Sequence, residues 1–117
     1  MATIKLVATI LSGAALSDEI IAPNGYHLAG LLMPAAGAWT AAGVTFQVTN
    51  VPAGTYDNLF NTSGEVAFAS DAVAKFLTCS QLDFRGVQVF KVRSGTAATP
   101  VNQGADRTIS LVWRPLR

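Results

Sequence analysis

Alternation of apolar and polar side chains is the dominant pattern along this chain. Three stretches carry apolar residues at every second position: 4–10, 44–48 and 109–113. A period of two is typical of strands that bury one face and leave the other in solvent. The pattern therefore predicts half-buried strands, of the kind that form antiparallel sheets.

Other stretches depart from strict alternation. Residues 27–33 are apolar on both sides, which predicts a central strand covered on both faces, and 86–93 is a mixed strand. A helix over 70–77, with Ser70 as N-cap, competes with a strand over 75–79, and the β character of 76–79 favours the strand. Residues 80–84 are predicted to form a short capped turn.

Turn-forming residues separate these segments. Asn24-Gly25 supplies a positive φ at little cost, and Pro52-Ala53-Gly54 and Ser63-Gly64 have similar chemistry. The polar stretch from Ser94 to Asp106 is predicted to be a long loop. Together the segments predict one domain over residues 1–117. It is all-β, an antiparallel β-sandwich, jelly-roll-like, with at most one or two short helical turns.

The charge content is low for a protein whose whole surface faces water. Charged residues make up 13% of the 117 residues and hydrophobic residues 50%, whereas soluble domains average about 25% charged. One explanation is a surface rich in Ser, Thr, Asn, Gln and Ala. The other is that neighbouring subunits cover part of the surface, as in obligate assemblies.

Nucleic acid and membranes are not predicted partners. The net charge is +1, and the basic residues are scattered apart from a loose C-terminal group, without the concentrated basic face that nucleic-acid binding needs. The apolar runs are far shorter than the ~20 residues that span a bilayer. The N-terminal stretch resembles a signal peptide, but its apolar part, 6–11, is short and interrupted by Thr9, so it is interpreted as a strand.

Catalytic chemistry has few candidates. His27 is the only histidine and is interpreted as a strand-end imidazole with a backbone partner; Cys79 is the only cysteine and is interpreted as a buried small hydrophobe. Asp57 and Glu65 flank a predicted turn and could form a carboxylate pair, although nothing nearby would tune their pKa values. The chain is therefore predicted not to be an enzyme, and to use no metal and no cofactor.

Contacts with a ligand or another protein have more candidates. Trp39 lies in an Ala-rich loop and is either an anchor packed over the sheet or an interface residue. A sugar could stack on an aromatic ring beside polar groups. The N-terminal strand and the loop from Ser94 to Asp106 are predicted to form contacts between chains. The candidate contact residues are Trp39, Tyr56, Asp57, Asn58, Asn102 and Gln103.

Distinctive motifs run along most of the chain. They are 28–36 (LAGLLMPAA), 39–42 (WTAA), 45–47 (TFQ), 84–86 (FRG), 91–96 (KVRSGT), 100–108 (PVNQGADRT) and 114–116 (RPL). These motifs resemble a family of small structural proteins of tailed bacteriophages and prophages. The resemblance covers most of the chain from about Leu16 onward, although Gly37-Ala38 looks inserted relative to the family and 50–74 is not distinctive.

The resemblance implies a component of the virion, assembled in the host cytoplasm. Combined with the low charge, it favours a capsid decoration or cement protein that binds the major capsid protein and copies of itself, as a homo-oligomer such as a trimer. Two alternatives stay open: a carbohydrate-binding β-sandwich on the tail or baseplate, and a structural subunit of the tail or neck.

Overall fold

The computed structural model describes residues 4–35, 39–40, 42–68 and 75–116. Within these ranges, ten strands and one short helix follow one another. Their bounds are β1 Ile4–Ile10, β2 Ile20–Ile21, β3 Tyr26–Leu32, β4 Val44–Thr49, β5 Asp57–Asn58, β6 Phe60–Asn61, β7 Gly64–Glu65, β8 Phe76–Thr78, α1 Gln81–Phe84, β9 Val89–Ser94 and β10 Arg107–Pro115.

Eight of these strands form two four-stranded antiparallel sheets, and β6 and β7 form a separate hairpin. The first sheet has the order β1-β10-β3-β8, and the second has the order β2-β9-β4-β5. The pairs β1 with β10, β2 with β9, β3 with β8 and β4 with β5 describe one long antiparallel ribbon that is rolled up into two layers. This is the jelly-roll arrangement, so the predicted all-β, jelly-roll-like fold is confirmed.

The core lies between the two sheets and follows the predicted alternation. In the first sheet one cross-strand row consists entirely of leucines that point inward: Leu6, Leu111, Leu31 and Leu77. In the second sheet Phe46 and Val92 are directly opposite each other and fully buried. The inward faces of 4–10, 44–48 and 109–113 are those that the alternation selects, because one face of each strand must leave water.

The first sheet and the helix that follows β8 test three of the predictions. The strand over 75–79 is confirmed as β8, and 80–84 forms α1, in which Ser80 makes no side-chain capping bond. The predicted coverage of 27–33 on both faces is wrong at Leu32, which is 42% exposed, although Met33 at the end of the range is buried. The competing helix over 70–77 falls largely on residues outside the described ranges.

The predicted long loop from Ser94 to Asp106 is confirmed as a connection between β9 and β10, and it has its own internal contacts. Gly95 bridges to Pro100, and the Ser94 hydroxyl donates to the Val101 carbonyl. The Gln103 side chain is 1% exposed and exchanges hydrogen bonds with the backbone of Thr40, at 2.7 and 3.1 Å. These bonds attach the loop to the body of the domain.

A buried ion pair lies on the outer side of the second sheet. Arg93 is 3% exposed, and its guanidinium donates to Glu65 at 2.7 Å and to Asn58 at 2.8 Å, while its Nε donates to Thr45 at 2.9 Å. Glu65 also accepts the backbone N–H of Ala97. Side chains from β5 and β7, together with the 95–100 turn, thus enclose the Arg93 guanidinium on this side of the second sheet.

Candidate protein-binding surface

The outer face of the first sheet carries an exposed apolar row, which consists of three apolar side chains with Ser110 among them. Val7 pairs with Ser110, Ser110 with Leu32, and Leu32 with Phe76, so the four side chains lie side by side across all four strands on the face opposite the leucine row. Val7, Leu32 and Phe76 are 47%, 42% and 51% exposed. With strands spaced 4.7–4.9 Å apart, the row is about 14 Å long. We call this surface the outer sheet face.

Gly30 shapes the outer sheet face next to this row. A Cβ atom at Gly30 would lie 2.1 Å from Cε1 of Phe76, so the absence of a side chain lets the Phe76 ring lie against the backbone of β3. The ring therefore spreads over the sheet instead of standing out from it. The result is a low apolar surface, of the shape that another flat surface can cover.

Charge on the outer sheet face is separated along the strands. Lys5 pairs with Val112, and Arg114, two residues beyond Val112, points to the same side. At the opposite end Asp18 accepts the Thr9 N–H and Asp106 accepts the Ser12 N–H, both at 2.8 Å. The apolar row thus lies between a cationic end and an end with two exposed carboxylates.

Arg107 also lies at the end with the two carboxylates. It is half-buried and directs its guanidinium to Gln103 and Thr40.

Two of the predicted contact residues are in the interior. Trp39 is 5% exposed, and its indole N–H donates to the Ala42 carbonyl at 3.1 Å, which agrees with the packing interpretation. Gln103 is buried by its bonds to Thr40, the neighbour of Trp39 in the chain. Neither side chain presents its polar or aromatic surface to solvent. Instead, both help to hold the 39–40 and 95–106 segments in place.

The other four candidates lie nearer the surface. The Tyr56 hydroxyl donates to the Glu19 carboxylate, and the Lys91 ammonium lies 4.9 Å from the centre of its ring. Burial, followed by the bond to Glu19, raises the pKa of Tyr56 to about 12. Asp57, Asn58 and Asn102 are exposed. The Lys91 ammonium thus occupies one face of the Tyr56 ring, where a sugar could otherwise stack.

The residues considered for catalysis have structural partners. Asn58 faces Arg93 and its partner Glu65, so Asp57, the next residue on the same strand, points away from them. Asp57 and Glu65 therefore do not face each other across a cleft. His27 is 8% exposed with Nδ1 3.2 Å from the Leu28 carbonyl oxygen, which confirms the interpretation of a strand-end imidazole with a backbone partner.

Cys79 is buried, as predicted for a small hydrophobe. Burial, with a smaller contribution from the charge of Asp83, raises the pKa of its thiol to about 12. The raised pKa means that the thiol stays protonated in the fold. The stability that the folded state gains by keeping the Cys79 thiol neutral is present below the ordinary pKa of a thiol. It is lost as the pH rises toward 12.

This burial makes Cys79 a reporter of folding. We expect a thiolate-specific reagent at pH 8 to label the native protein at least about 100-fold more slowly than the protein unfolded in denaturant. The measurement is the labelling rate across a urea titration. Equal rates in native and unfolded protein would show that the thiol is accessible in the fold.

A second exposed apolar site lies between the β6–β7 hairpin and α1. Phe60 is 58% exposed and Leu82 is 87% exposed. They border an open groove of about 560 Å³, which is otherwise lined by neutral polar side chains and Asp83. The Asp83 carboxylate accepts a bond from the Asn61 amide at 3.1 Å.

Comparisons with protein-family models, with curated proteins and with solved structures found no match to this chain. Within the described residues, no group of three or more His, Cys, Asp and Glu side chains is placed to hold a metal ion. No helix in that part of the chain is long and apolar enough to cross a membrane.

The sequence predicts the outer sheet face only in part: correctly for the half-buried strand that contains Val7, and wrongly for Leu32. Val7 lies in the N-terminal strand that was predicted to contact other chains. The apolar pattern of 27–33 predicts that Leu32 is covered, because a strand with apolar residues on both sides usually has both faces buried. In the single chain, the outer side of that strand is open at Leu32.

Proposed function

We propose that the chain is a non-enzymatic structural subunit of a virion, a capsid decoration or cement protein that binds the major capsid protein and stabilises the head. One observation carries this proposal: the exposed apolar row on the outer sheet face. Contiguous apolar surface of this kind marks contacts between proteins. The low overall charge supports the proposal, because a subunit that is partly covered needs fewer charges.

The resemblance to phage structural proteins supplies the setting. The jelly roll is compatible with it, since this architecture recurs in viral capsid domains and also in lectins. Fold by itself does not decide between these. The surface favours assembly, because Trp39 is buried and the Lys91 ammonium lies over the Tyr56 ring, so two of the rings considered for sugar stacking already have partners within the chain.

The mechanism of stabilisation would be the joining of shell subunits by weak contacts. A small subunit that touches its own copies and the shell converts each further contact into an intramolecular event, so the contacts multiply in strength. No covalent chemistry is needed. The buried ion pair and the attached 95–106 loop would keep the contacting surfaces in fixed positions.

Binding to capsids tests the proposal. The purified chain is mixed with heads of the phage or prophage that encodes it and sedimented. We expect the wild type to sediment with the heads and Val7→Asp to bind at least about 10-fold more weakly, since a charge enters the apolar row. Val51→Asp is the matched control, because Val51 is 58% exposed and lies outside that sheet. Thermal melts of both variants check that they are folded.

Three results would contradict the proposal or redirect it. A wild-type chain that stays in the supernatant would contradict a role on the head. Equal binding by Val7→Asp and wild type would remove the outer sheet face from the account. Sedimentation with isolated tails but not with heads would favour the alternative of a tail or neck subunit.

A further inference from the structure

The charges around the apolar row are arranged symmetrically about it. Counted along β1 from Val7, Lys5 lies two residues to one side, and Thr9, whose N–H is bonded to Asp18, lies two residues to the other. Counted along β10 from Ser110, Arg114 lies four residues to one side and Asp106 lies four residues to the other. Each cation thus has a carboxylate near the mirrored position, with Asp18 beside Thr9 at the free edge of β1 and Asp106 directly before β10.

We infer that a second copy of this chain covers the outer sheet face, related to the first by a two-fold axis along the row from Val7 to Phe76. This inference rests on the proposed function, in which that face is a contact between chains. The axis places each apolar residue of the row against the same row of the partner. It also brings Lys5 to the partner's Asp18 and Arg114 to the partner's Asp106.

The geometry of sheet packing accommodates these pairs. Two sheets pack face to face about 10 Å apart, with their strands crossed by about 30°, an angle that results when the two-fold axis is inclined by about 15° to the row. Arg114 and Asp106 are each four residues from the axis, or about 13 Å, so the crossing displaces them sideways by about 7 Å. Long cationic side chains at Lys5 and Arg114 can bridge an offset of this size. A two-fold contact is self-complementary, so each pair occurs twice.

The size of the face sets the strength of the contact. Four strands about 4.8 Å apart and roughly six residues long give a footprint of roughly 400 Å², about half of the 800 Å² per partner of a standard interface. We therefore expect a weak dimer, with a dissociation constant in the micromolar range. On a particle, where copies are held close together, effective concentration would favour the same contact.

The dimer would explain how a small subunit holds a shell together. A two-fold pair presents every other surface of the chain twice, including the groove at Phe60 and Leu82. Two neighbouring shell subunits can then be held by one pair. Loss of the dimer would weaken attachment to the head without altering the shell-binding surface of each copy.

Sedimentation velocity of the full chain, from about 1 to 300 µM, tests the inference. We expect a monomer–dimer equilibrium that Lys5→Glu weakens at least about 10-fold, because two like-charge contacts replace two attractive ones. Asp18→Lys alone should weaken it similarly. The double variant Lys5→Glu with Asp18→Lys should restore the dissociation constant to within about threefold of wild type. Asp18→Asn, which keeps an acceptor for the Thr9 N–H, controls for the local fold.

A cross-linking readout fixes the position of the axis. Ser110→Cys places a thiol on the axis, and Ser63→Cys places one on the β6–β7 hairpin, while Cys79 stays buried. A bismaleimide should join two Ser110→Cys chains and leave Ser63→Cys chains single. A chain that is monomeric at 300 µM, or a double variant that is weaker than either single variant, would overturn the inference.

The two proposals fail in different ways. If the chain stays monomeric but Val7→Asp still loses binding to heads, the outer sheet face contacts the shell directly and only the dimer is wrong. If the chain dimerises as described and does not bind heads, the dimer stands and the proposed function is wrong.

Discussion

Replacing Arg93 with methionine is expected to cost about 3–5 kcal/mol of unfolding free energy. The substitution removes the only cation that contacts Glu65 among the described salt bridges, and it leaves a carboxylate whose side chain is 16% exposed without its partner. Asn58 and Thr45 lose their donors at the same time. Urea unfolding, followed by fluorescence, measures the effect.

The controls separate the buried charge from the loss of side-chain volume. Lys5→Met removes a charge on the surface and should change the unfolding free energy by about 0.5 kcal/mol or less. Adding Glu65→Leu to Arg93→Met should recover part of the loss, because no charge then stays buried alone. A loss below about 1 kcal/mol for Arg93→Met would show that the pair contributes little to the fold.

Phe46→Ala should destabilise the domain by about 3–5 kcal/mol. Phe46 is fully buried, and its ring makes edge-to-face contacts with Phe68, Phe84 and Phe90 at centroid distances of 6.1, 5.0 and 6.0 Å. These contacts join the second sheet to α1 at one end of the core. The measurement is the change in melting temperature and unfolding enthalpy by calorimetry.

Phe60 provides the matched control for this core position. It is the same residue type, but 58% of it is exposed, so Phe60→Ala should lower stability by about 0.5 kcal/mol or less. A similar loss for both variants would mean that the core is not organised around Phe46. Wild-type stability of Phe46→Ala would contradict the packing described for the two sheets.

The strands of the core could be predicted from the sequence because their alternation reports directly on burial. Ile4 to Ile10, Val44 to Val48 and Ile109 to Trp113 each bury the face that their apolar positions define. The short strands β2, β5, β6 and β7 have two residues each. Such strands are too short to carry a period and are fixed by pairing with distant segments.

The candidate surface was only partly predictable for a related reason. A run such as His27 to Met33 indicates apolar surroundings on both sides, but it does not say whether the covering residues belong to the same chain. The sequence leaves Trp39 as either a packed anchor or an interface residue, because its loop is rich in alanine, and it predicts Gln103 as a contact residue, because its loop is polar. The burial of Gln103 involves Thr40, which lies 63 positions away, and no local pattern reports such a contact.

A map of intact virions at side-chain resolution would show whether the outer sheet face is a contact between protein chains. We expect Val7, Leu32 and Phe76 of each copy to be covered, with Lys5 of one copy beside Asp18 of the next and each pair attached to the head shell. If the protein is present on the particle with these three side chains facing solvent, the claim is wrong.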